Sequence, residues 1–124
     1  MTHEEICTYE VCKLAKEKGF DVPTFDWYDY KGIYHKGFIP HKLHECPRYK
    51  EYYAPTQSLL QRWLREEKGY YVYPFFDNET LKWTYIVRER TGDMWIPLMG
   101  ETPNYESYEE AMEGVLKFVL ENLV

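Results

Sequence analysis

The pattern that organises the chain lies at Leu59, Leu60, Trp63 and Leu64, where apolar residues recur at helical spacing and form one face. Arg62, Arg65 and Lys68 fall on the opposite side, and Gly69 suits a left-handed stop. Pro55 fits a first helical position, where its missing amide costs nothing, so a helix is expected from residue 55 to 68. Tyr70 to Phe76 then reads as a strand. Pro74 cannot donate to a ladder, which puts this strand at a sheet edge or at a bulge. After the polar turn Asp77-Asn78-Glu79-Thr80, residues Leu81 to Arg90 alternate. Trp83, Tyr85 and Val87 share one face, with Lys82, Thr84, Arg88 and Arg90 mostly on the other. Thr91-Gly92-Asp93 turns the chain again into Met94-Trp95-Ile96-Pro97-Leu98. Short turns between three such runs predict an antiparallel meander.

The last helix has a broad apolar stripe of Ala111, Met112, Val115, Leu116, Val119 and Leu123. Ser107 with Glu110 makes a capping box at its start. Gly114 inside the stripe costs about 1 kcal/mol relative to Ala, a price consistent with close approach of another element. At the other end of the chain, residues 2–18 read as a helix. Thr2 and Glu5 form its capping box, Cys7, Val11, Leu14 and Ala15 its buried face, and Gly19 its stop. Cys7 is expected in the core, and Cys12, five residues on, is expected to point in a different direction and to form no redox pair with it.

From Phe20 to Tyr53 the helical period is lost. Phe25 to Tyr30 has the composition of a strand, and Lys31-Gly32 could turn it into Ile33-Tyr34-His35 as a hairpin. Pro23, Pro40 and Pro47 break up the rest. The expectation is a single α+β domain over residues 1–124. Residues 1–53 supply an N-terminal helix and an irregular aromatic segment. Residues 54–124 supply helix, three-stranded antiparallel meander and helix, closed as a two-layer sandwich.

Composition changes this picture in one respect. Aromatic residues make up 19% of the chain, with thirteen tyrosines and four tryptophans, so large amphipathic side chains must either build the core or remain as a contact surface. The net charge of −6, from 21 acidic and 15 basic residues, argues against a nucleic-acid partner. Cys7, Cys12 and Cys46 are an odd number, which points to free thiols in a reducing compartment. The acidic start Met-Thr-His-Glu-Glu is unlike a signal peptide, and no apolar run reaches the roughly 20 residues of a membrane span. A cytoplasmic protein without a membrane partner is expected.

Catalytic chemistry finds little support. There is no Gly-x-Ser-x-Gly elbow and no glycine-rich phosphate loop. Acidic neighbours such as Glu66-Glu67 and Glu109-Glu110 sit on helices, where adjacent residues diverge by ~100°. His35, His41, His44 and Cys46 are the metal-like constellation, with residue types that could close a tetrahedral zinc site. Their spacing lacks both Cys-x-x-Cys and His-Glu-x-x-His, so no catalytic, cofactor or metal residue is assigned and zinc stands as the alternative.

Helix, three strands and helix is also the element order of double-stranded-RNA-binding domains, which grip phosphates at the start of their final helix. Here that position holds Ser107-Tyr108-Glu109-Glu110, which repels phosphate. The ridge of Arg62, Arg65 and Lys68 leaves a weak nucleic-acid accessory role as a further alternative. Ala54-Pro55-Thr56-Gln57-Ser58-Leu59-Leu60-Gln61-Arg62-Trp63-Leu64-Arg65-Glu66, followed by Ser107-Tyr108-Glu109-Glu110-Ala111, resembles small uncharacterised proteins encoded by phages and mobile elements of gut bacteria. The resemblance covers roughly residues 54–124, with a weaker echo at Lys13 to Asp21. It implies an origin and a shared fold, and carries no activity or site residues. The expected function is a non-enzymatic accessory protein acting through protein contacts or self-association. The aromatic segment from Phe25 to Tyr53 and the edge strand around Pro74 are its candidate surfaces.

Overall fold

Three helices and two three-stranded antiparallel sheets make up an α+β fold in the computed structural model, which describes residues 5–37, 51–98 and 103–124. The larger sheet is the expected meander, in the order β4 (Tyr70–Asp77), β5 (Lys82–Thr91) and β6 (Met94–Pro97). Its register pairs Val72 with Val87, Pro74 with Tyr85 and Phe76 with Trp83, which puts these side chains on one face. The helix α3 (Tyr108–Asn122) covers that face, burying Val115, Leu116, Val119 and Leu120 completely. Tyr70 donates its hydroxyl to the Leu123 carbonyl at 3.3 Å, and Trp83 and Tyr85 meet Tyr108 and Phe118 edge-on or tilted.

Proline is tolerated in β4 for a geometric reason. Arg90 N donates to the Gly69 carbonyl at 3.0 Å, while Gln61 Nε2 donates to the Val72 carbonyl at 2.6 Å. Backbone groups alternate sides along a strand, so odd-numbered positions face β5 and Pro74 faces outward. The strand is a sheet edge, as its proline predicts, and no ladder bond is lost.

The helix before it is shorter than expected. α2 (Gln57–Trp63) begins two residues later, with Thr56 as N-cap accepting from Leu59 N, so Pro55 lies outside the helix and is buried. From Leu64 to Lys68 the turn widens into a π-helix, which Gly69 ends at φ +78° with its amide bonded to the Leu64 carbonyl. Leu60 and Leu64 are fully buried.

The N-terminal part departs further from expectation. Residue 2 lies outside the described residues, but residues 5–8 are not helical. Cys7 N donates to the Pro55 carbonyl at 2.9 Å and Gln57 N to the Glu5 carbonyl at 2.8 Å, holding this segment extended against the start of α2. α1 (Tyr9–Glu17) therefore starts after Thr8, whose hydroxyl accepts from Val11 N. Cys7 is in the core, as expected. Cys12 does not point elsewhere, because its thiol lies 3.7 Å from the Cys7 carbonyl and both residues are buried. Part of the segment read as irregular is a second sheet. The expected hairpin forms from β1 (Trp27–Tyr28) and β2 (Tyr34–His35), and β3 (Tyr52–Tyr53) joins the other side of β1. β3 is buried against α1.

Candidate binding surfaces

The histidine–cysteine constellation is only partly within view, since His41, His44 and Cys46 lie outside the described residues. His35 is engaged locally. Its Nε2 lies 2.9 Å from Asp29 Oδ2, and its ring stacks on Trp27 at 4.3 Å and 15°. Asp29 also accepts from the Lys31 and Ile33 amides through Oδ1, and the hydrogen bond with His35, chiefly, lowers its pKa. These contacts close the β1–β2 turn. Asp26 does similar work, accepting from the Tyr34 hydroxyl and from Gly37 N. Burial and that hydrogen bond push the Tyr34 phenol up to about 12. Among the described residues no group of three or more His, Cys, Asp or Glu is placed to hold a metal ion.

A second cluster joins α1 to α3. Glu113 accepts from the Thr8 amide and hydroxyl at 3.3 and 3.0 Å, and from Gln57 Nε2 at 3.2 Å. Tyr28 donates to the Cys7 carbonyl at 2.9 Å. Burial first, and the Glu113 carboxylate next, raise the pKa of both cysteine thiols. This setting favours the protonated thiol, the opposite of the environment that activates a cysteine nucleophile. Above them a cleft of about 610 Å³ is lined by Glu5, Glu10, Glu109, Glu110 and Lys117. Its Lys117 already pairs with Glu10 at 3.0 Å.

The basic ridge does not form a free row of cations. Arg62 pairs with Glu66 at 3.1 Å, Lys68 lies 5.3 Å from the centre of the Trp63 ring, and Arg65 lies 5.5 Å from that of Tyr71. Of the expected aromatic surface from Phe25 to Tyr53, residues 38–50 lie outside the described residues. Tyr52 and Tyr53 are buried, while Phe25 and Tyr30 remain exposed on the hairpin. The β4 edge is blunted, because Pro74 presents no amide and Gln61 occupies the Val72 carbonyl.

What the two sheet faces expose was missed by reading segments singly. The sheet face opposite α3 carries Tyr71, Tyr73, Phe75 and Asp77 from β4, Lys82, Thr84, Ile86, Arg88 and Arg90 from β5, and Trp95 and Pro97 from β6; Thr84 is buried, and Phe75, Arg90 and Pro97 are exposed. Tyr71 packs on Tyr73 at 5.1 Å and on Trp95 at 6.1 Å, while Arg88 Nε donates to the Tyr73 hydroxyl at 3.2 Å. Phe75 is 47% exposed. The described partners of these rings are one another and arginines, whereas the described contacts of α3 run to the opposite face. The signal for this platform was present in the alternation Tyr71, Tyr73, Phe75 and in Arg88, Arg90. A strand pattern alone does not tell which of its two faces the helices cover. On the helix side of β6, Met94 and Ile96 are exposed because α3 lies mainly over β4 and β5.

No family model, curated protein or solved structure matches the chain. Among the described residues no helix is long and apolar enough to cross a membrane.

Proposed function

We propose that this is a non-enzymatic accessory protein that works by protein contact, with the open face of the β4–β5–β6 sheet as its binding surface. The observation that carries this reading is the preassembled cluster of Tyr71, Tyr73 and Trp95 with Arg65 and Arg88, with Phe75 exposed on the same face, which no described helix covers. Tyr, Trp and Arg are the residues that dominate binding energy at protein interfaces. Held by mutual packing on a sheet, these side chains lose little further freedom when a partner docks. The chemistry elsewhere supports the non-enzymatic part of the reading, since the buried cysteines are held protonated and Glu113 is spent on structural hydrogen bonds.

The test is site-specific photo-crosslinking in cells that make the protein. A photoreactive phenylalanine analogue at Phe75 should give a discrete crosslinked species that Trp95→Ala or Arg88→Glu abolishes. The same analogue at Phe25, which is 83% exposed on the hairpin, should not give it. Equal crosslinking at both positions, or none at Phe75, removes the reading.

A further inference from the structure

The charge of the open sheet face is opposite to that of the chain. On this face β4 presents one carboxylate, Asp77, while β5 presents Arg88 and Arg90 together with Lys82, which pairs with Glu106. Arg65 reaches the same face around the β4 edge, over Tyr71. Yet the whole chain carries 21 acidic residues against 15 basic ones. The carboxylates concentrate in the helix layer instead, where Glu5, Glu10, Glu109, Glu110 and Glu113 line the cleft between α1 and α3. An acidic partner is thus drawn to one face and repelled by the other, which sets both its docking site and its orientation.

The arginines are also oriented. Arg88 Nε donates to the Tyr73 hydroxyl at 3.2 Å and Arg90 Nε to the Gly92 carbonyl at 3.0 Å. With Nε held internally, each guanidinium meets an incoming group through its two terminal nitrogens, the geometry that accepts a carboxylate in bidentate fashion. Strands about 4.8 Å apart, rising about 3.3 Å per residue, give the cluster the width and length of a short extended peptide.

Resting on the proposed function above, we propose that the face takes an acidic peptide segment of another protein, its carboxylates on Arg65, Arg88 and Arg90 and its apolar side chains on the ring cluster. Single-stranded nucleic acid would bring the same negative charge, but it needs open ring faces on which successive bases stack. The rings here are interlocked instead. Tyr71 is tilted 45° to Tyr73 and 67° to Trp95, and Arg65 lies over Tyr71.

The experiment pans a displayed library of short random peptides on the full chain, with Arg88→Glu/Arg90→Glu as counter-selection. A thermal melt establishes that this variant folds, and Arg90→Gln, at an exposed position, replaces it if it does not. Peptides enriched in Asp and Glu are expected, with affinity that falls as salt is raised and drops at least about tenfold on charge reversal. Lys13→Glu, on the exposed side of α1, should leave their affinity unchanged. Face-dependent peptides that are neutral or basic overturn the acidic assignment and leave the binding surface standing. An absence of face-dependent peptides overturns both. A single-stranded oligonucleotide that binds the face more tightly than the best peptide overturns the assignment in favour of nucleic acid, and salt-sensitive association of copies through Arg88 overturns it in favour of self-association.

Discussion

Gly114 sits in the middle of α3, and replacing it with alanine separates intrinsic helix propensity from tertiary packing. In a solvent-exposed helix the change to Ala stabilises by about 1 kcal/mol. Here a Cβ on Gly114 would stand 2.5 Å from Tyr105 Cζ and closer still to its hydroxyl. Tyr105 cannot simply swing away. Its amide donates to the Trp83 carbonyl at 2.6 Å and its carbonyl accepts from Trp83 N at 2.9 Å, so its backbone is fixed beside β5. Its ring also packs against Tyr85 at 6.3 Å. Overpacking of this kind costs about 1–3 kcal/mol, enough to outweigh the gain in propensity. Urea denaturation should therefore show Gly114→Ala less stable than the parent by about 1 kcal/mol. In a Tyr105→Ala background the obstruction is gone, and the same change should stabilise by about 1 kcal/mol. The reversal of sign makes the cycle informative, because the Tyr105→Ala variant need not resemble the parent in absolute stability. If Gly114→Ala stabilises both backgrounds equally, the close contact between the connector and α3 is refuted.

Leu64→Ala removes a fully buried side chain at the start of the π segment and should cost about 2–5 kcal/mol in the same denaturation assay. Thr8→Ala deletes the α1 cap and a hydroxyl that donates to Glu113, with an expected loss of about 1–2 kcal/mol. Burial raises the pKa of the folded cysteine thiols above the ordinary value of 9.0, so the unfolded chain ionises first as pH rises. Stability should hold below pH 9.0 and fall above it, and thiol-reactive dye should label Cys7 and Cys12 only on unfolding. Asp26 titrates the other way. The hydrogen bond from Tyr34 lowers its pKa, so the difference in stability between the parent and Asp26→Asn should shrink as pH falls below the carboxylate range.

The meander and α3 were legible because their signals are local. Alternation at Trp83, Tyr85 and Val87 and helical spacing at Ala111, Met112, Val115 and Leu116 need no knowledge of distant residues. The N-terminal helix was read too long because residues 5–7 are claimed by residues 55–57, a pairing that no local pattern announces. Thr8 caps the helix in place of the expected Thr2–Glu5 box, since Glu5 and Cys7 are held extended against Gln57 and Pro55. β3 escaped for the same reason, since Tyr52 and Tyr53 find their partner strand far upstream at Trp27 and Tyr28. The π segment was hidden by its single extra residue per turn, which leaves Leu64 on the apolar face predicted by a normal helix. The platform was half legible. Its residue types and spacing were in the sequence, but its availability depends on α3 crossing the other side of the sheet.

The account stands most directly on amide-resolved NMR of the labelled protein titrated with the partner recovered by the Phe75 crosslink. Binding should shift the amides of Tyr71, Tyr73, Thr84, Ile86, Arg88 and Trp95 and leave those of α1 and α3 in place. Shifts confined to the cleft between α1 and α3, or to the hairpin around Phe25 and Tyr30, would contradict it.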